Sequence, residues 1–158
     1  GPRQALSNPY TGVIAIFGSR LLNNHPPVVF EDGKQRRDFV SVHDVVRACY
    51  QSLIVPEAVG RVFNIGSGES HSIAGVAEAV ARALGMPEAH PEITGQYRVG
   101  DIRHCFADIS LAREVLGYEP RIPLAIGISD LGAWLSSQEA EDRVAGARAE
   151  LVTRGLVV

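Results

Sequence analysis

Apolar residues recur at helical spacing in several stretches of the chain. The first stretch predicts a helix over residues 8–22, with Asn8 as its N-cap. The same spacing predicts further helices over residues 43–54, 72–84, 110–116, 124–136 and 139–154. The last of these is polar and rich in alanine, and we expect Val144, Ala147 and Leu151 to form its inner edge.

Short apolar runs between the helices predict strands. They lie at residues 28–30, 39–42, 61–65 and 92–94. Asp32-Gly33 marks a turn after the first strand. Because helices and strands alternate, the pattern predicts an α/β fold. A parallel sheet needs several strongly apolar central strands, and only residues 61–65 (RVFNI) qualify. We therefore predict that the chain forms part of an α/β protein.

Composition narrows the class of protein. The chain has 158 residues, of which 46% are apolar, so it is long enough for one domain with a core. Its net charge of −3 argues against nucleic-acid binding. No run of about 18 apolar residues is present to span a membrane, and the first residues lack the apolar segment of a signal peptide. We therefore expect a cytoplasmic protein without nucleic-acid or membrane partners.

Two adjacent arginines are the most prominent chemical feature. Arg36 and Arg37 follow the predicted turn, and side chains alternate along a strand, so only one of them faces a given pocket. A phosphate-binding arginine is one interpretation. The other is a solvated pair on an edge strand, with Asp38 as a salt-bridge partner and Asp44 as a charge at a helix N-terminus.

Two further segments could carry chemistry. Arg98 and Asp101 flank a glycine before a predicted helix, which indicates either a binding loop or a surface loop with an ion pair. Residues 64–68 (NIGSG) lie between a strand and a helix, where a dinucleotide fingerprint would occur. His71 stands where the third glycine of that fingerprint belongs, so we predict a tight turn there and no cofactor loop. No metal-binding spacing is present.

Taken in order, these segments resemble the C-terminal half of NAD-dependent nucleotide-sugar epimerases/dehydratases, which are extended short-chain dehydrogenases/reductases. The resemblance runs from Gly1 to about Trp134 and is strongest for the 4-epimerases of the family. It rests on GPR at the start, FEDGKQRRDFVSVHDV, VFNIGSG and YRVGDIRHCFADISLAREVLGYEP. It implies an α/β substrate-binding lobe that includes part of a Rossmann-type sheet, without the N-terminal cofactor half.

The resemblance also implies roles for individual residues. Arg37 and Arg98 would bind the diphosphate of a nucleotide sugar from two sides, and Asp101 would order its loop and the ribose end. The base and the rest of the nucleotide would contact Val29, Phe30 and Asn8. Independently of the family, two guanidinium groups suit a diphosphate, which they can bind bidentately.

The family's chemistry requires NAD, a glycine-rich loop that binds it, and a Tyr-x-x-x-Lys pair. Lys34 is the only lysine, and Phe30 stands four residues before it, so the pair is absent from this chain. We therefore expect no catalytic residue, cofactor or metal in the chain alone. Residues 1–138 would form the nucleotide-sugar-binding lobe, and residues 139–158 a C-terminal helical extension.

The expected partners follow from this interpretation. They are a dTDP- or UDP-linked sugar and the missing N-terminal cofactor domain. Because RVFNI would belong to the sheet of that missing domain, its open edge favours pairing with a second copy of the chain. The alternative function is a stand-alone, non-catalytic module that binds nucleotide sugars or serves as a scaffold. The residues leave open the sugar, the base, and the choice between epimerisation and dehydration.

Overall fold

The computed structural model describes residues 1–4, 12–140 and 142–157. The helices in these ranges are α1 (Val13–Leu22), α2 (Val42–Ile54), α3 (Ile73–Ala83), α4 (Ser110–Leu116), α5 (Leu124–Leu135) and α6 (Val144–Thr153), with a short 3₁₀ turn at Pro56–Ala58. The strands are β1 (Val28–Val29), β2 (Arg36–Arg37), β3 (His71–Ser72), β4 (Glu92–Ile93) and β5 (His104–Cys105). Asn8, the predicted cap of α1, lies outside the described residues.

The strands form two small sheets. In the first, β1 pairs in parallel with β4. In the second, β2 lies between β3, to which it is antiparallel, and β5, to which it is parallel. The two arginines therefore occupy a central strand, so the alternative interpretation of a solvated pair on an edge strand was wrong. The second predicted strand, residues 39–42, was also wrong, because Ser41 caps α2 by accepting a hydrogen bond from the His43 amide (3.3 Å).

Three helices and β1 enclose the main core. It consists of Phe17, Leu21, Val29, Ile73, Val76, Ala77, Val80, Ala81 and Ile128. The predicted apolar face of α3 is confirmed, and Ser72 caps this helix by accepting a hydrogen bond from the Gly75 amide (3.2 Å). The helices α3 and α5 approach closely, since a Cβ at Gly132 would lie 3.0 Å from the carbonyl oxygen of Ala83. This packed layer of helices lies against β1.

A second core joins α2 and α4. Tyr118 is fully buried and donates its hydroxyl hydrogen bond to the carbonyl of Gly66 (2.8 Å), while burial raises the pKa of its hydroxyl. Asp44 is also fully buried, so it is more than a charge at a helix N-terminus. It accepts hydrogen bonds from the Arg47 side chain (2.7 Å) and from the amides of Arg121 and Ile122. The carboxylate thereby fixes the segment that leads into α5.

Residues 61–65 do not form the predicted buried strand. No strand pairs with this segment in the described part of the chain, and the side chain of Val62 is 88% exposed. On α2, Val46, Tyr50 and Leu53 are exposed as well. The segment has the composition of a sheet strand, but a strand needs a neighbour to satisfy its backbone hydrogen bonds.

Cys49 and Cys105 are both exposed. The expected start of the last helix was wrong. The C-terminal helix begins at Val144, five residues later than the expected start. Among the helices of the described ranges, none has the length and apolar character that a membrane crossing requires.

Candidate functional site

One cleft collects the residues to which the sequence drew attention. It has a volume of about 510 Å³ and lies between α1, the ends of β1 and β2, the loop at residues 98–103, and α6. Its walls include Val29, Phe30, Arg37, Arg98 and Asp101. These are five of the six residues that the family resemblance indicated, and the sixth, Asn8, is not described. They come from segments up to 72 residues apart, so the fold rather than the sequence brings them together.

Arg37 is held in place by backbone carbonyl groups. Its Nη1 donates to the carbonyls of Arg36 (3.0 Å) and Arg103 (2.8 Å), and its Nη2 donates to the carbonyl of Ile102. Its Nη2 also lies 3.5 Å from the Asp101 carboxylate. The Arg37 side chain is only 26% exposed, and these contacts largely fix its guanidinium before any ligand arrives.

Arg36 points away from this cleft. Its Nε donates to the Ser70 hydroxyl (2.8 Å), and its Nη2 donates to the Ser70 carbonyl. The alternation of side chains along β2 therefore separates the two arginines, as expected. Arg37 is the one that faces the cleft.

Arg98 lies at the start of the loop at residues 98–103, just before the loop turns. The turn depends on Gly100, whose φ of +80° suits glycine, and the Asp101 amide donates to the Arg98 carbonyl (3.2 Å). The guanidinium carbon of Arg98 lies 5.6 Å from the centroid of the Phe30 ring, which is a cation–π distance. The end of β1 and the loop thus meet through this pair.

Arg103 is a structural part of the site that sequence reasoning missed. Its two terminal nitrogens bind Glu31 (2.6 Å) and Asp32 (2.7 Å), so it clamps the turn after β1 to the loop that carries Arg98. The hydrogen bond from Arg103 holds the pKa of Asp32 below its usual range. The sequence around Arg103 gives no sign of these ion pairs, because the two acidic partners lie more than 70 residues earlier.

Gln35 is a second residue that sequence reasoning missed. It is 7% exposed, and its Nε2 donates to the carbonyl of Phe30 (2.9 Å). The backbone carbonyl of Gln35 accepts a hydrogen bond from the Ile73 amide at the start of α3 (3.0 Å). Gln35 therefore fixes the end of β1 against the core. A buried glutamine in a charged turn carries no periodic signal in the sequence.

The glycine-containing turn at residues 66–68 does not fit a cofactor phosphate. Asp38 accepts hydrogen bonds from the Ser67 amide (2.8 Å), the Ser67 hydroxyl (2.6 Å) and the Gly68 amide (3.2 Å). A carboxylate thus occupies the amide groups that a phosphate would need, and its charge would repel one. The prediction of a tight turn is confirmed. The prediction that Asp38 pairs with a basic side chain was wrong in the described part of the chain.

A smaller cavity of about 300 Å³ lies on the other side of α1. Its walls include Gly1, Pro2, Gln4, Ser41, His43 and part of α5. His43 lines this cavity, but the neighbouring Asp44 does not, so the two side chains cannot form an acid–base pair there. Asp44 is instead buried against Arg47 and the segment before α5. No group of side chains with metal-binding geometry occurs within the described ranges.

Comparisons with known proteins identify relatives of this chain. The sequence model of the NAD dependent epimerase/dehydratase family matches residues 1–66. The chain is 41% identical to a dTDP-L-rhamnose 4-epimerase from Burkholderia thailandensis, over 87% of this chain and 38% of that protein. It is 40% identical to a UDP-glucose 4-epimerase from Mycolicibacterium smegmatis, over 82% of this chain and 40% of that protein.

Solved structures of 4-epimerases are similar to this chain as well. The UDP-N-acetylglucosamine 4-epimerase from Methanobrevibacter ruminantium, in complex with UDP-N-acetylmuramic acid, superposes with a TM-score of 0.79 at 31% identity, over 87% of this chain and 43% of that one. The Thermotoga maritima UDP-glucose 4-epimerase with UDP-glucose superposes with a TM-score of 0.75 at 33% identity, over 86% and 42% of the two chains. The chain thus spans about two fifths of the relatives that it matches.

The Arg103 clamp can be tested by titration. Replacing Arg103 with alanine removes the main hydrogen bond to the Asp32 carboxylate, so the pKa of Asp32 should rise towards its usual value. The rise will be incomplete, because the Lys34 amide still donates to this carboxylate (3.0 Å). Side-chain carboxyl NMR shifts measured against pH give the pKa directly.

The matched control is Arg113→Ala, which removes an exposed arginine that pairs with Glu119. This variant should leave the Asp32 pKa unchanged. An unchanged Asp32 pKa in Arg103→Ala would contradict the clamp.

Proposed function

The chain belongs to the NAD-dependent epimerase/dehydratase family, and from this premise we propose that it supplies the nucleotide-sugar-binding part of a sugar-nucleotide epimerase or dehydratase. One observation carries the proposal. Arg37 and Arg98, from distant segments, line the same cleft beside the ring of Phe30.

The chemistry of the cleft supports a diphosphate ligand. A nucleoside diphosphate linked to a sugar carries about two negative charges, which the positive charges of two guanidinium groups complement. Arg37 already uses its terminal N–H groups on its cradle, so its Nε–H is the donor left for the ligand. Arg37 lies on a fixed backbone cradle, so little side-chain entropy is lost when it binds. The aromatic and apolar wall formed by Val29 and Phe30 suits a base. Asp101 lines the same cleft and would accept a hydrogen bond from a ribose hydroxyl.

The names of similar proteins support the class of ligand. Two solved relatives hold UDP-linked ligands, UDP-glucose in one and UDP-N-acetylmuramic acid in the other. The relative with 41% identity is a dTDP-L-rhamnose 4-epimerase. We therefore propose a UDP- or dTDP-linked sugar as the ligand, and 4-epimerisation as the reaction of the complete enzyme.

The reacting groups would come from outside these 158 residues. Bound NAD would accept and return a hydride in the complete enzyme. In this chain the turn at residues 66–68 does not fit a cofactor phosphate, and the exposed Lys34 has a phenylalanine, Phe30, four residues before it rather than a tyrosine. We propose that the chain by itself binds and orients the nucleotide without turnover.

A stand-alone binding module is the second candidate, since all five described site residues lie within this chain. The coding sequence before Gly1 separates the two. A glycine-rich strand–turn–helix and a Tyr-x-x-x-Lys pair there favour the enzyme, and their absence favours the module.

The site assignment predicts the effect of removing each arginine. Arg37→Ala and Arg98→Ala should each weaken binding of UDP-glucose or dTDP-glucose roughly tenfold or more, because each loses charge-assisted hydrogen bonds of about 1.5–3 kcal/mol. Isothermal titration calorimetry measures the affinities.

The matched control is Arg82→Ala, which removes an exposed arginine on α3 that is paired with Glu78. It should bind like the wild type. Unchanged affinity in both Arg37→Ala and Arg98→Ala would refute the site.

We also propose that the isolated chain self-associates through RVFNI and the outer face of α2. Val62 and Leu53 are 88% and 84% exposed, and apolar surfaces of this kind seek a partner. Light scattering at high protein concentration should detect a dimer or larger species. Leu53→Lys should reduce it, whereas Ile126→Lys on α5, which also changes an exposed residue, should not. A monomeric wild-type chain would contradict the proposal.

A further inference from the structure

The helix α6 presents one face to the cleft. Val144, Ala147, Arg148 and Leu151 follow the i, i+3, i+4, i+7 spacing of a single helix face, and all four line the cleft and are half-buried. The other six residues of the helix are exposed. None of its residues is fully buried, so α6 contacts the cleft only through these partly buried side chains.

Both ends of this segment are attached to the rest of the molecule. Before the helix, the Asp142 carboxylate binds Arg20 (3.3 Å) and His25 (2.7 Å) and accepts from the Val144 amide (3.0 Å). Burial would raise the pKa of Asp142, but the hydrogen bonds from His25 and the Val144 amide, together with the charge of Arg20, keep it below its usual value. The carboxylate is therefore charged at neutral pH and holds the start of α6 against α1.

The segment after the helix reaches the loop that carries Arg98. The Val99 amide donates to the Leu156 carbonyl (3.0 Å), and Val157 forms an antiparallel bridge with Arg98 itself. Val157 is buried. The backbone of Arg98, which we propose binds the diphosphate, thus pairs with Val157. The segments before and after α6 are therefore both attached to the rest of the molecule, and the helix between them lies along the cleft.

Arg148 is the one charged residue on the cleft-facing side of α6. Its Nη2 donates to Oε1 of Gln96 (2.6 Å), and the Gln96 carbonyl accepts from the Glu31 amide (2.7 Å). Arg148 is therefore tied to the wall at Phe30 and Glu31. Among the described residues this is its one hydrogen bond, and a guanidinium has five N–H donors.

The surroundings of Arg148 match a nucleoside better than a phosphate. Val144, Ala147 and Leu151 flank it on α6, and Val29 and Phe30 lie in the facing walls of the cleft. Such apolar walls suit the flat faces of a pyrimidine, and Arg37 and Arg98 already supply the proposed contacts to the diphosphate. The carbonyl oxygens at the edge of a pyrimidine are acceptors for the remaining N–H groups of Arg148.

We propose that α6 is the outer wall of the nucleotide site and that Arg148 recognises the nucleoside end of the ligand. This inference rests on the proposed function. It gives the predicted C-terminal extension a role in affinity for the base and ribose, separate from the diphosphate contacts of Arg37 and Arg98.

The test compares UDP with UMP as ligands of the 158-residue chain by calorimetry. Arg148→Ala should weaken binding of both by the same factor, roughly tenfold, because the lost contact does not involve the second phosphate. Arg37→Ala should weaken UDP more than UMP. Alanine favours a helix, so Arg148→Ala should keep α6 folded, which circular dichroism verifies. Arg154→Ala is the control, since Arg154 at the end of α6 is exposed and paired with Glu150.

A matched pair of substitutions tests the wall itself. Ala147→Glu places a carboxylate on the cleft-facing side and should weaken both ligands, whereas Ala149→Glu places it on the exposed side and should not. If Arg148→Ala and Ala147→Glu bind like the wild type while Arg37→Ala does not, the inference is wrong and the proposed function stands. If Arg148→Ala weakens UDP but not UMP, the nucleoside assignment is wrong. If the wild type binds neither ligand, the proposed function fails and the inference fails with it.

Discussion

The parallel pairing of β2 with β5 is the constraint on which the site depends. It places Arg37 beside Cys105, within reach of the carbonyls of Ile102 and Arg103. Those carbonyls hold the guanidinium, and Arg103 in turn binds the acidic turn after β1. The end of β1, the loop with Arg98 and the central arginine therefore form one connected unit. A ligand that bridges the two guanidinium groups would meet a site that is already assembled, which lowers the entropic cost of binding.

The two cores explain why this unit can lie at the surface. The helices α1, α3 and α5 pack under β1, and the smaller core around Tyr118 holds the turn at residues 66–68 through its hydroxyl group. That turn binds Asp38, which directly follows Arg37. Each charged segment of the site is thus anchored to a packed layer. The polar groups at the cleft stay partly exposed, where a ligand can reach them, while apolar packing supplies rigidity.

Local patterns in the sequence predicted the helices well, since caps and apolar faces such as those of α3 act within a few residues. The family resemblance indicated five described residues that the fold brings together. The Arg103 clamp, the hydrogen bonds of Gln35 and the place of Arg148 depend on partners that are distant in sequence, so no spacing could show them. RVFNI has the composition of a strand, but a strand forms only where a neighbour pairs with it, and none does within the described residues.

A crystal structure of the chain bound to UDP tests the central claim most directly. The account predicts the diphosphate between Arg37 and Arg98, with oxygens about 2.8 Å from both guanidinium groups. The base should lie against Phe30 and the inner face of α6. A diphosphate that contacts neither arginine, or UDP bound in the smaller cavity beside Ser41 and His43, would contradict it.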